Sequence, residues 1–261
     1  MRELVGEIIK SNKVFNLIED GDKICVGVSC GKDSSLLLLA LNLYKQYVKN
    51  KYGWNIKIYG VHIKMNLYKN IDYSKYKKFM KDKKINFKTV ESNMNEILLA
   101  KKKKGVIQCS LCAKLKKAIL VKEAKKLKCN KIAMAHHADD AIETLFMNMI
   151  HEGRIGTFNP KNYFDRTDMT LIRPFCLLRE KSLIREAKKQ NIPIIKRDCP
   201  IDGKTERTYM KSFLEQNFYK NKKFSMSYEN FLVALLNGKQ SSLWFDESAK
   251  KDLLIKYNSK L

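Results

Sequence analysis

Acidic residues are scarce in this 261-residue chain: 27 Asp and Glu stand against 52 Lys and Arg, for a net charge of +25. An excess of that size attracts polyanions, nucleic acid first, because phosphates neutralised by Lys and Arg release their condensed counterions. A Lys-, Asn- and Ile-rich composition is also what an AT-rich genome produces. Only 4 prolines and 11 glycines are present, and no low-complexity linker or internal repeat is visible. No apolar run nears the roughly 18 residues of a membrane span; Leu36–Leu41 is the longest beside the segment discussed next. The opening MRELVGEIIKSN carries acidic residues in an amphipathic pattern, so it reads as a helix and not as a signal peptide. Seven cysteines, an odd number, exclude a simple disulfide framework and point to a reducing cytoplasm, where thiols serve as ligands or reactive groups.

What is present is organised around Lys23–Ser35, KICVGVSCGKDSS. Ile24, Val26 and Val28 alternate with Cys25 and Gly27 as in a strand, a small-residue turn follows, and an apolar helical segment runs from Ser34 to Tyr47. Strand, tight turn and helix N-terminus together form an anion site, where unpaired N–H groups and the helix dipole converge. It is not the Walker pattern, which needs two glycines at a set spacing before Lys-Ser/Thr. Ser29-Cys30-Gly31-Lys32-Asp33-Ser34 instead resembles the S-G-G-x-D-S signature of the PP-loop ATP pyrophosphatases. The resemblance implies that Ser29, Cys30, Gly31, Lys32, Ser34 and Ser35 surround the phosphates of ATP and that Asp33 holds Mg²⁺. Cys30 departs from the pattern, standing where glycine is usual; a positive φ there costs about 1–3 kcal/mol. An ordinary βα turn is the plain alternative.

Strands and helices alternate onward. Asn55–Lys64, Ile85–Val90, Lys131–Ala135, Thr170–Ile172 and Ile192–Ile195 read as strands. Tyr73–Lys84, Cys109–Lys128, Asp139–Ile150 and Glu180–Gln190 read as helices, followed by Tyr209–Phe218 and Tyr228–Leu236. The fold class is α/β, a doubly wound parallel sheet with a helical C-terminal extension, and its ligands belong at the carboxyl ends of the strands. The expected organisation is an N-terminal helix (1–20), an ATP-binding catalytic domain (21–207) and a helical extension (208–261).

Cys109 and Cys112 form a CxxC at a helix N-terminus, where the dipole favours thiolates. One such pair serves redox, zinc or iron–sulfur chemistry alike, and no second CxxC completes a four-thiolate zinc site. Cys199 is a third ligand candidate with Cys176 as its rival, whereas Cys25 and Cys129 read as buried small hydrophobes. Three cysteines can hold a [4Fe–4S] cluster with one iron left open to an exogenous ligand. Lys101–Lys104 is either a solvated face or an RNA-phosphate contact, and Arg173 either a bidentate phosphate ligand or a surface ion pair. Asp139 and Asp140 either orient Mg²⁺ or ribose, or form an N-cap and first turn.

Cys109-Ser-Leu-Cys112, Ala135-His136-His137-Ala138-Asp139-Asp140 with Glu143-Thr144, Ile172-Arg173-Pro174 and Arg179-Glu180-Lys181 resemble, in order, the tRNA 2-thiocytidine synthetase family over residues 20–215. That resemblance implies a cytoplasmic enzyme that uses ATP, Mg²⁺ and a [4Fe–4S] cluster to thiolate C2 of an anticodon-loop cytidine. The cluster would rest on Cys109, Cys112 and Cys199, and adenine recognition would fall around His62 and Ile63, with Ala135, His136 and Asp140 also at the nucleotide. Lys32, Asp33 and the three cysteines would carry the catalysis. Partners would be tRNA, a sulfur donor such as a cysteine desulfurase, no membrane, and a second copy of the chain in a homodimer. Alternatives are uridine thiolation, a lysidine synthetase, which shares the loop and the His-His-Asp-Asp run without a cluster, and a zinc-stabilised RNA-binding protein without catalysis.

Overall fold

The computed structural model describes residues 1–64, 71–102, 107–195, 199, 203 and 205–237. The amphipathic opening forms α1 (Arg2–Phe15), which buries Leu4 and Ile8 against the main core. Strand β1 (Lys23–Gly27) feeds the Ser29–Ser34 turn and then α2 (Lys32–Tyr52), which buries Leu36 through Leu41. An apolar run this continuous suits a helix sandwiched between a sheet and its neighbours, not a surface helix. Next come β2 (Lys57–Ile63), α3 (Ser74–Asp82), β3 (Phe87–Val90), α4 (Met94–Ala100) and α5 (Cys109–Lys126). They are followed by β4 (Lys131–Ala133), α6 (Ala138–Glu152), β5 (Lys161–Phe164), β6 (Met169–Ile172) and α7 (Glu180–Lys189). Helices α8 (Glu206–Leu214) and α9 (Ser227–Leu236) complete the described chain.

The sheet runs β3-β2-β1-β4-β6-β5. Five strands are parallel, and β5 closes the edge antiparallel to β6, with Asn162 opposite Leu171. The sheet is therefore mostly parallel and flanked by helices, in line with the α/β expectation, with one antiparallel edge strand added. Ile192–Ile195 is a correction: it is not a strand. Pro193 has no N–H to give a ladder, and the Ile195 N–H donates instead to the carbonyl of Cys30 at 3.1 Å, so the segment props the loop from behind. Helix α4 and strand β5 are additions to the expected elements.

Two glycines permit close layers. A Cβ on Gly27 would stand 2.8 Å from Leu120 of α5, and one on Gly60 would stand 2.5 Å from Leu38 of α2. Helices α8 and α9 pack Met210, Leu214 and Tyr228 against Ala138 and Ile142 of α6. Among the described residues no helix is long and apolar enough to cross a membrane.

Candidate active site

A cavity of about 760 Å³ opens between one face of the sheet and α5. Gly27, Val28 and Ser29 line it from the end of β1, Val61, His62 and Ile63 from β2, and Met134 and His136 from beyond β4. Leu171, Arg173, Asn162 and Phe164 line the far side, and Cys109, Cys112, Lys116 and Lys117 of α5 roof it with Cys199. Ser29, at the start of the nucleotide loop, and the three predicted cluster cysteines therefore line one chamber.

The loop is braced from within. Ser34 Oγ accepts from the Ser29 N–H at 3.0 Å, and Ser35 Oγ donates to the Gly31 carbonyl at 2.7 Å while meeting the Tyr76 hydroxyl at 2.6 Å. Ser35 is fully buried, so its part is to fix the loop. Cys30 has φ +60°, the left-handed conformation that glycine adopts without strain, and its side chain is buried in the core. Lys32 and Asp33 open α2, and Lys32 Nζ reaches both Asp33 oxygens at 3.0 Å and Glu180 at 2.9 Å. Lys211 of α8 grips the other Glu180 oxygen. Burial works against charging Glu180, yet its bonds to Lys211 and Lys32 outweigh that and hold its pKa at about 2.

His137, not Asp139, is the N-cap of α6. Its Nδ1 accepts from the Asp140 N–H at 3.3 Å while Asp140 Oδ2 accepts from the His137 N–H at 3.0 Å. Asp139 accepts from the Glu180 N–H at 2.8 Å. Arg207 of α8 donates to Asp140, Glu143 and Thr144. Burial, reinforced by the charge of Asp140, pushes the Glu143 pKa up to about 7.

Of the seven thiols, Cys109 is exposed and Cys112 and Cys199 are half-buried, all three on the cavity wall; the others are buried. Cys176, the rival third ligand, instead donates to Ser11 Oγ at 3.8 Å beneath α1. Cys109 is the first residue of α5, yet desolvation and then the neighbouring Cys199 and Cys112 push its thiol pKa up, against the expected dipole effect. Among the described residues no three His, Cys, Asp or Glu side chains converge on a point that would hold a single metal ion. Asp33 and Asp140 lie off the cavity wall, as do Gly31, Lys32, Ser34 and Ala135. Lys101 and Lys102 are exposed at the end of α4, and Lys103 and Lys104 lie outside the described residues.

The family model described as a PP-loop domain matches residues 5–217. A tRNA-cytidine(32) 2-sulfurtransferase of Idiomarina loihiensis is 34% identical over 230 residues, covering 87% of this chain and 74% of its own. One of Geobacter sulfurreducens is 32% identical over 204 residues, covering 77% of each chain. The chain belongs to the tRNA-cytidine 2-sulfurtransferase family of PP-loop enzymes. The fold agrees: the U34-tRNA thiolase NcsA from Methanococcus maripaludis, solved with its [4Fe-4S] cluster, superposes with a TM-score of 0.65 at 19% identity, covering 93% of this chain and 80% of that one.

Within this PP-loop chain, Glu180 belongs to a motif visible in the sequence, but its clasp on Lys32 is a three-dimensional fact. Arg207 and Lys211 carry no sequence signal beyond their charge. Phe158, which stacks behind His136, has none either.

Proposed function

We propose that this protein is an ATP-dependent tRNA sulfurtransferase that thiolates C2 of a cytidine in the anticodon loop. The observation that carries this reading is the single cavity lined by both the Ser29 end of the nucleotide loop and the thiols of Cys109, Cys112 and Cys199. Its relatives are named for cytidine 32. An anticodon-loop base is already splayed enough to enter a pocket at small unstacking cost.

The donor set suits the groups required. His62 Nδ1 lies 2.8 Å from the Val28 carbonyl, so it carries the hydrogen, and the buried Nε2, without a partner among the described residues, is an acceptor for the adenine amino group. Three accessible thiols on one wall suit an iron–sulfur cluster held by Cys109, Cys112 and Cys199, and the accessible carboxylate of Asp33 suits Mg²⁺ beside the phosphates. The bound cluster would supply a site for the incoming sulfur.

The chain's own residues position and neutralise. Loop N–H groups, the N-terminus of α2 and Lys32 stabilise pyrophosphate as the base O2 takes the adenylyl group. Sulfur bonding to C2 then expels AMP, which leaves with the former O2. In this reading residues 21–207 bind ATP and catalyse, while 208–237 brace that domain through α8 and α9. The rival lysidine reading has no use for three thiols in the chamber.

The test uses anaerobically purified protein with ATP, a sulfide source and tRNA. The reading expects absorbance near 400 nm, tRNA-dependent AMP release and 2-thiocytidine in the digested tRNA. Cys109→Ala and Cys112→Ala should abolish colour and thiolation and leave ATP affinity within about twofold. Full thiolation by either variant overturns the assignment.

A further inference from the structure

The cavity holds two histidines whose hydrogen bonds fix opposite tautomers. His62 bonds a carbonyl through Nδ1, so its hydrogen is on Nδ1. At His136 the polarity is reversed: Nε of Arg173, which can only donate, points at Nδ1 from 3.3 Å. Nδ1 of His136 therefore carries a lone pair, and the ring hydrogen sits on Nε2. Among the described residues that Nε2–H makes no hydrogen bond, and the residue lines the cavity.

The arginine that imposes this state is itself held on two further sides. Its Nη1 donates to the Asn159 carbonyl at 2.5 Å, and its guanidinium lies over the Phe158 ring, 4.6 Å from the centroid. The same ring stands 5.2 Å from the His136 imidazole. Phe158 thus packs against both partners of this hydrogen bond. Two of the five N–H donors of Arg173 are spent inside the protein, on His136 and Asn159.

We propose that Arg173 is a positioning residue: it locks His136 as an Nε2–H donor, and that donor meets an oxygen acceptor of the bound substrates, either a phosphate of ATP or the C2 carbonyl of the target base. The identity of those substrates rests on the function proposed above; the lock does not. The lock requires a neutral ring, because an imidazolium has no acceptor nitrogen. Burial supplies this by pushing the pKa of His136 down to about 4, reinforced by Arg173, Arg207 and His137 and opposed by Asp140.

With only four histidines in the chain, ¹⁵N-histidine labelling of the full-length protein resolves the rings individually by long-range ¹H–¹⁵N spectra. At pH 7 His136 should show an unprotonated Nδ1 and a protonated Nε2, with His62 showing the reverse as an internal reference. An averaged or Nδ1-protonated His136 in the unmutated protein overturns the lock. Arg173→Met should collapse His136 to an exchange average while His62 is unmoved, and a locked ring in a folded Arg173→Met variant contradicts the inference. A non-hydrolysable ATP analogue is added next, then tRNA. A shift of the His136 Nε2–H with the analogue assigns the acceptor to phosphate, and a shift only with tRNA assigns it to the base. No shift with either removes the donor role. An averaged His136 in an enzyme that thiolates defeats this inference alone, and a locked His136 in a protein that does not thiolate defeats only the proposed function.

Discussion

Cys30 is a residue in a glycine's place, and two opposing terms meet there. The left-handed backbone at φ +60° costs about 1–2 kcal/mol for a side chain with a Cβ. The thiol recovers a similar amount by being wholly buried. Cys30→Gly should therefore change unfolding stability by less than about 1 kcal/mol, because relief of strain offsets lost burial. Cys25→Gly, in the ordinary strand backbone of β1, has no strain to relieve and should lose about 2 kcal/mol or more by chemical denaturation. Equal losses at the two sites would refute this account of the loop. Glu143 supplies the pH-dependent counterpart. Its folded pKa, about 7, lies above the unfolded carboxylate value, so the folded state retains the proton longer. Its contribution to stability is intact below about pH 4.5, declines as pH rises towards 7 and is a full penalty above that. Glu143→Gln should consequently be near neutral at pH 4 and more stable than the parent by roughly 2 kcal/mol at pH 8. Equal effects at both pH values would contradict the shift.

Among the elements, α8 does the most to tie the C-terminal helices to the site. Arg207 joins it to Asp140, Glu143 and Thr144 of α6, and Lys211 joins it to Glu180, which holds Lys32. Arg207→Ala leaves two neighbouring carboxylates without their cation, one of them buried. After discounting for the partial exposure of Arg207, the expected loss is about 1–3 kcal/mol, read as a lowered melting temperature. An unchanged melting temperature would show that α8 is held without Arg207, by Lys211 and the packing of Met210 and Leu214. Elements differ in how readily they were legible. The β1–loop–α2 unit was plain because alternation, a small-residue turn and an apolar helix follow one another within thirty residues. Strand β5, Lys-Asn-Tyr-Phe, was not, since its pairing comes from β6 across a short turn that ends with Asp168 at φ +48°. Ile192–Ile195 misled because its apolar content is that of a strand, while Pro193 breaks the ladder and Ile195 binds the loop.

For the molecule as a whole, the sheet gathers distant sequence into one chamber. Local motifs identified the nucleotide loop and the Cys109/Cys112 pair. Cys199 and Cys176 were not separable as candidate third ligands from sequence, because both are lone cysteines near a proline; their packing differs and supports the Cys199 reading. Cys199 reaches the cavity and Cys176 is sealed under α1. The central claim is that nucleotide and three thiols act together on one cytidine. Nucleoside mass spectrometry of tRNA from cells lacking this protein, each complemented with one variant, tests it most directly. The account predicts loss of 2-thiocytidine in the deletion, its return with the parent gene and with Cys176→Ala, and no return with Cys109→Ala, Cys112→Ala or Cys199→Ala. An unchanged 2-thiocytidine level in the deletion, or full rescue by Cys199→Ala, would contradict it.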